Sequence, residues 1–196
     1  ELDKSRIQTL FTKSRRSLRL SDIRKMGFKG FLFGMTGAWI ERKMGKLTGS
    51  TPGSEMKKAI LIAKKEKLPV ALIDQDIRLT LRNISKRITW KEKFKFAKEL
   101  IKAIFIKSKP IGFDITKVPS EKKIKYLTKR MKKDFPSLYT SLITDRDIYM
   151  SKNLYKISTD NYDKRIVTIL GAGHIDGIIK LLKKQKWSRE KTAGKK

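Results

Sequence analysis

The chain has 196 residues, 39% of them apolar, enough for one sizeable domain with a real core. It contains no cysteine, which excludes disulfides, thiolate metal sites and cysteine nucleophiles. Lys and Arg number 49 against 19 Asp and Glu, a net charge of +30 that points either to an anionic partner or to lysines that simply solvate helix faces.

No run reaches the ~18 consecutive apolar residues of a membrane span, and no signal peptide is visible. The chain opens at Glu1 without a Met and reads as cut from something longer. The stretch "GFKGFLFGMTGAWIERKMG" places Gly27, Gly30, Gly34 and Gly37 at three- and four-residue steps, on one side of a helix. Glycine costs ~1 kcal/mol against alanine in a helix interior. Such a face calls for close packing, inside the domain or across a homodimer, with membrane contact as the alternative.

Next, "SEMKKAILIAKKEK" puts Met56, Ala59, Ile60 and Ala63 on one helix face. "LPVALID" (68–74) is a continuous apolar run and reads as a buried strand. A helix begins near Ile77, and Asp74 and Asp76 before it serve either as its caps or as site residues. "TWKEKFKFAKELIKAIF" spaces Trp90, Phe94, Ala97, Ile101 and Ile104 as an amphipathic helix, which also explains why aromatics alternate with lysine there. In "PSEKKIKYLTKRM", Ser120 is the expected N-cap with Glu121 in the first turn, and Ile124, Leu127 and Met131 form the stripe. A long helix follows Pro136 through "SLYTSLITDRDIYMSKNLYKI". "RIVTIL" (165–170) reads as a second strand, followed by a helix. The expected fold is α/β: a central, largely parallel sheet with a large helical insertion, in one domain over residues 1–186. Residues 187–196 read as a basic tail or linker.

In open parallel sheets, ligands sit beyond the carboxyl ends of the strands. Those ends carry Asp74 and Asp76, and then His174 and Asp176. His174 is the single histidine, and Gly171 and Gly173 before it allow a tight turn and close backbone approach to a ligand. An imidazole there can bind a metal or move protons, or it can be a structural residue at a strand end. Arg146 shares an apolar stripe with Leu142, Ile143, Tyr149 and Met150. A guanidinium on such a face must be paired with a buried carboxylate or must clamp an anion in a cavity. Asp145 and Asp147 flank it but point elsewhere on the helix. With one histidine and no cysteine, a metal site would draw on carboxylates from Glu1, Glu55, Asp74, Asp76 and Asp176, a set suited to manganese or magnesium. No glycine–serine nucleophile elbow is present.

The ordered motifs "ELDKSR", "PGSEMKKAI", "VALIDQDIRLTLRNI", "FPSLYTSLITDRDIYMSKNL" and "VTILGAGHIDGI" span almost the whole chain. Together they resemble the TraB/PrgY family, the pheromone-shutdown proteins, in its archaeal form. The resemblance implies an α/β domain related to secreted membrane-anchored metalloproteases and erythromycin-esterase-like enzymes. It also implies a site with two glycine-x-x-histidine motifs and an acidic residue. Gly171 to His174 matches the second motif, while the first belongs upstream of Glu1. Glu1 matches the acidic residue and Arg6 the basic residue after it; Glu55 matches "PGxE" and Arg146 the Arg of "ERD". Gln75 stands where the family usually has Arg, and Asp145 replaces the Glu of "ERD".

The resulting expectation is a metal-dependent hydrolase acting on peptides. Glu1 and His174 would be metal ligands, Glu55 a general base and Arg146 an oxyanion or carboxylate clamp, with Arg6, Asp74, Gly171 and Gly173 at the substrate. The alternative is a protein that sequesters a peptide without cleaving it. A third reading, from charge alone, is association with anionic lipid or nucleic acid, although no specific nucleic-acid motif is present. The resemblance also implies membrane spans beyond this chain, which would put the basic tail beside the membrane on its cytoplasmic side.

Overall fold

The computed structural model describes residues 53–105 and 120–193, together with Ile7, Leu10, Phe11, Ile23, Arg24, Gly27, Phe31, Gly34 and Met35. The helices in chain order are α1 (Ser54–Lys65), α2 (Ile77–Arg87), α3 (Trp90–Phe105), α4 (Glu121–Asp134), α5 (Pro136–Tyr139), a π-helical turn (Thr140–Thr144), α6 (Asp145–Asp160) and α7 (Ile175–Ala193). The chain divides into two compact units. The first comprises Glu1–Arg16, Gly53–Ile77 and Leu142–Lys196, and the second comprises Ser17–Pro52 and Arg78–Ser141.

In the first unit α6 packs against α7. Met150 and Leu154 on α6, Ile178 on α7 and Ile73 form its buried cluster, with Ile157, Leu170 and Leu182 packed around it. The spacing explains the contact: 150, 154 and 157 share one face of α6, and 178 and 182 share one face of α7. Each fully buried side chain of this size contributes about 1.5–3 kcal/mol. In the second unit Thr80, Leu81 and Ile84 are the buried face of α2, and Ile88 follows them inward.

The start of α3 is fixed by a capping box. The Thr89 backbone N–H and hydroxyl both donate to Glu92 Oε2, at 3.0 and 2.9 Å, and the Glu92 N–H reaches Thr89 Oγ1 at 3.3 Å. The other oxygen, Glu92 Oε1, accepts the Ser137 N–H of α5 at 2.7 Å, so one carboxylate caps two helices. Burial raises the Glu92 carboxyl, but the hydrogen bonds from Thr89 and Ser137 outweigh it and hold the group below its ordinary value.

The α/β expectation is corrected: the elements among the described residues are all helices, without a strand or sheet. "LPVALID" and "RIVTIL" are connectors that lead into α2 and towards α7. Leu68 is 59% exposed and Val167 81%, whereas Ile73 and Leu170, at the far ends of the two runs, reach the core. A strand inside a parallel sheet is covered on both faces along its length. Here only the last residues are anchored, and Pro69 contributes no backbone donor. A continuous apolar run has no period of its own, so it cannot distinguish a ladder strand from a connector with one buried end.

Other expectations meet detail rather than reversal. Ser120 occupies the N-cap of α4 in extended conformation, without a side-chain capping bond. The long helix after Pro136 is divided by the π-helical turn. α3 forms as expected, but its apolar stripe faces solvent, with Trp90 70% and Phe94 71% exposed; the Ile104 side chain lies outside the described residues. Of the glycine stretch, Gly27 has φ +75, a left-handed conformation that suits glycine, and a Cβ there would come within 3.1 Å of Ser85 Oγ. Gly30 and Gly37 lie outside the described residues. Helix α7 extends to Ala193, through most of the expected tail. Among the described residues no helix is long and apolar enough to cross a membrane.

Candidate functional site

Two side-chain pairs in the first unit, an ion pair and a carboxylate–imidazole hydrogen bond, meet on successive residues of α6. The first joins Arg146 to Asp74. Arg146 Nε donates to Asp74 Oδ1 at 3.0 Å and Nη2 donates to Oδ2 at 2.7 Å, the two-pronged geometry that a planar guanidinium favours. Asp74 Oδ1 also accepts the Gln75 N–H at 2.8 Å, and Arg146 Nη1 donates to the Leu142 carbonyl at 3.2 Å. That carbonyl lies in the π-helical turn, a local widening of the kind often found at functional sites. Asn153, two turns along α6 from Arg146, donates to the Ile73 carbonyl at 3.0 Å. Arg146 and Asn153 together pin residues 73–75 to one side of α6.

The second pair joins Asp147 to His174. Their closest atoms, Asp147 Oδ1 and His174 Nδ1, are 2.6 Å apart, and both side chains are buried. His174 stands at the start of α7. Its N–H closes a turn onto the Gly171 carbonyl at 2.9 Å, and its own carbonyl accepts the Ile178 N–H at 3.0 Å. The glycine-rich run therefore works through its backbone, placing the imidazole at the end of a helix. A Cβ on Gly173 would meet only Ile143, at an ordinary 3.8 Å.

Gly177 is the tight position. A Cβ there would lie 2.0 Å from Asp147 Oδ2, well inside contact distance. The carboxylate therefore rests on the first turn of α7, where glycine leaves room and where the helix dipole favours negative charge. Asp147 shares the buried face of α6 with Met150, Ser151 and Leu154.

The structure thus brings together Asp74 with Arg146, and His174 with Asp147. Glu55 sits exposed in the first turn of α1, and among the described residues no hydrogen bond or ion pair joins it to either pair. Glu1 and Arg6 lie outside the described residues. Asp147 and Gly177 were missed by sequence reasoning, although signals existed. Asp147 stands three, four and seven residues before Met150, Ser151 and Leu154, and Gly177 is a glycine inside a helix, where it needs a reason.

Residues 3–191 match the TraB/PrgY/gumN family. The chain belongs to this family. The uncharacterized protein MJ1365 of Methanocaldococcus jannaschii is 38% identical over 189 residues, covering 94% of this chain and 46% of that protein. The chain therefore spans about half the length of the curated relative it matches. No solved structure matches it. Within the TraB/PrgY/gumN match lie Asp74, Arg146, Asp147, His174 and Gly177, the whole of the two-pair arrangement.

A metal needs about three protein donors. Among the described residues no group of three His, Cys, Asp or Glu side chains is arranged to hold one. The described donor set therefore does not by itself fit a metal ion. A complete set would need groups outside the described residues.

Proposed function

We propose that the chain carries a hydrolase-type site acting on peptides, with His174 as the group that handles the proton. The observation that carries this reading is the buried Asp147–His174 pair. A carboxylate against Nδ1 keeps the proton on that nitrogen and leaves the lone pair on Nε2, the tautomer that a general base requires. The carboxylate also stabilises the imidazolium formed when Nε2 takes a proton from a nucleophilic water. Arg146, held by Asp74, fixes the neighbouring backbone and sets the direction of α6 behind Asp147. The peptide as substrate class rests on the likeness to the pheromone-shutdown proteins.

A second reading, capture of a peptide without cleavage, is favoured by one feature. The Arg146 guanidinium is already engaged by a carboxylate and a carbonyl, which suits a structural clamp better than an oxyanion partner. Product analysis separates the two. A mixed peptide pool is incubated with the chain and with His174→Ala, and the products are read by mass spectrometry. Cleavage that His174→Ala abolishes supports the hydrolase, and peptide retained but recovered intact supports capture. Manganese titration of both forms tests His174 as a metal ligand: affinity unchanged by the substitution removes that assignment.

A further inference from the structure

We infer that the outward face of α3 docks onto an anionic lipid bilayer, lying in its surface rather than crossing it. Trp90, Phe94, Ala97 and Ile101 follow one another at four-, three- and four-residue steps and share one side of the helix. All four are exposed. Lys91 and Lys98 stand on one border of this face and Lys93 on the other, with Lys93 Nζ 3.7 Å from the centre of the Trp90 ring. An apolar strip with an aromatic ring at one end and lysines along its borders is the pattern of a helix held at the headgroup level.

The opposite side of α3 is anchored, so the strip cannot be an inward face turned the wrong way. Glu92 is tied to Thr89 and to the Ser137 N–H, Phe96 meets the Phe135 ring edge-on at 6.4 Å, and Lys95 pairs with Asp134 of α4 at 2.7 Å. Rotating α3 to bury Trp90 would break all of these contacts.

Charge selects the occupant. A second copy would set two chains of +30 face to face, lysine border against lysine border. A nucleic acid would satisfy the lysines and could stack on Trp90 and Phe94, but it offers nothing apolar to Ala97 and Ile101. An anionic bilayer satisfies both parts, taking the strip at the acyl boundary while the lysine heads reach the phosphates. The inference does not depend on the Asp147–His174 site.

The test is co-sedimentation of the intact chain with vesicles of phosphatidylcholine containing phosphatidylglycerol, alongside Trp90→Ser/Phe94→Ser. The double variant keeps the net charge of +30, and because both side chains are exposed it should retain the native circular dichroism. The expected result is binding of the intact chain, at least tenfold weaker binding of the double variant, and a blue shift of tryptophan emission with vesicles only in the intact chain. Equal binding of the two would show attraction by bulk charge alone and overturn the inference. So would no binding by the intact chain, or a dimer in solution that the double variant dissolves. Tighter binding to single-stranded RNA than to vesicles, lost in the same variant, would overturn it in favour of a stacking surface.

Discussion

A carboxylate pressed onto the backbone of a helix leaves no room for a methyl group. Gly177→Ala would force the new Cβ into Asp147 Oδ2. The helix cannot yield without disturbing Ile178, so Asp147 must swing away from His174. The expected cost is about 1–3 kcal/mol of stability, as for other overpacked sites. Because His174 is the sole histidine, its ring nitrogens give one unambiguous NMR signature. The native chain should show the proton on Nδ1, and Asp147→Asn or Gly177→Ala should shift that tautomer. An unchanged ring signal in both variants would remove the orienting role of Asp147. The Arg146–Asp74 pair behaves differently, because a part-buried guanidinium faces a buried carboxylate. Asp74→Ala alone strands the guanidinium and should lower stability by about 3–5 kcal/mol, whereas Asp74→Ala with Arg146→Met should recover part of that loss. Thermal melts of the two variants decide it; equal losses would mean that the pair is not coupled. The two pairs were unequally legible in the sequence. Arg146 stood out because a guanidinium on an apolar stripe demands a partner, and the partner is Asp74. Asp147 does not stand out, because one residue along the helix from Arg146 is a step of about 100° away from that stripe. Its own face is the more deeply buried one, with Met150 and Leu154.

Among the elements, the start of α3 rests on one side chain. Glu92 closes the capping box with Thr89 and also receives the Ser137 N–H. Its carboxyl is held below the ordinary glutamate value, so the folded state favours the charged form. The resulting stability is fully present above about pH 4.3, the ordinary glutamate value, and is lost as the pH falls through the lower folded value. Glu92→Gln should therefore cost about 0.5–2 kcal/mol at neutral pH. It should also flatten the loss of stability below pH 4 in acid titrations followed by circular dichroism. A variant with the same acid profile as the native chain would assign that loss to other groups. The helices themselves were legible, because a 3.6-residue period survives whatever packs against it. What covers each apolar face was not, and the outward strip of α3 is the plain case. The two connectors were misread for the opposite reason. Their burial is confined to Ile73 and Leu170, and composition reports the average of a run rather than its end.

At the scale of the whole molecule the excess of positive charge dominates. Forty-nine cationic side chains face 19 acidic ones, so repulsion between lysines opposes compaction over most of the surface. Several of the acids are committed locally: Asp74 and Asp147 to buried pairs, Glu92 to its caps, Asp134 to Lys95 and Arg130, and Glu121 to Lys125. Added salt shortens the Debye length from about 10 Å at 0.1 M to about 3 Å at 1 M. Two opposing effects follow. Surface pairs such as Lys125–Glu121 weaken, and they contribute little to begin with. Repulsion from the net excess of positive charge weakens as well, and it acts between many charges over longer distances. The buried Arg146–Asp74 and Asp147–His174 contacts are shielded from the ions and change little. Repulsion should win, so the melting temperature should rise between 0.05 and 0.5 M sodium chloride, about equally in the native chain and in Trp90→Ser/Phe94→Ser. Calorimetry over that range checks it. A falling melting temperature would mean that local ion pairs, not the net charge, set the electrostatic balance of the fold.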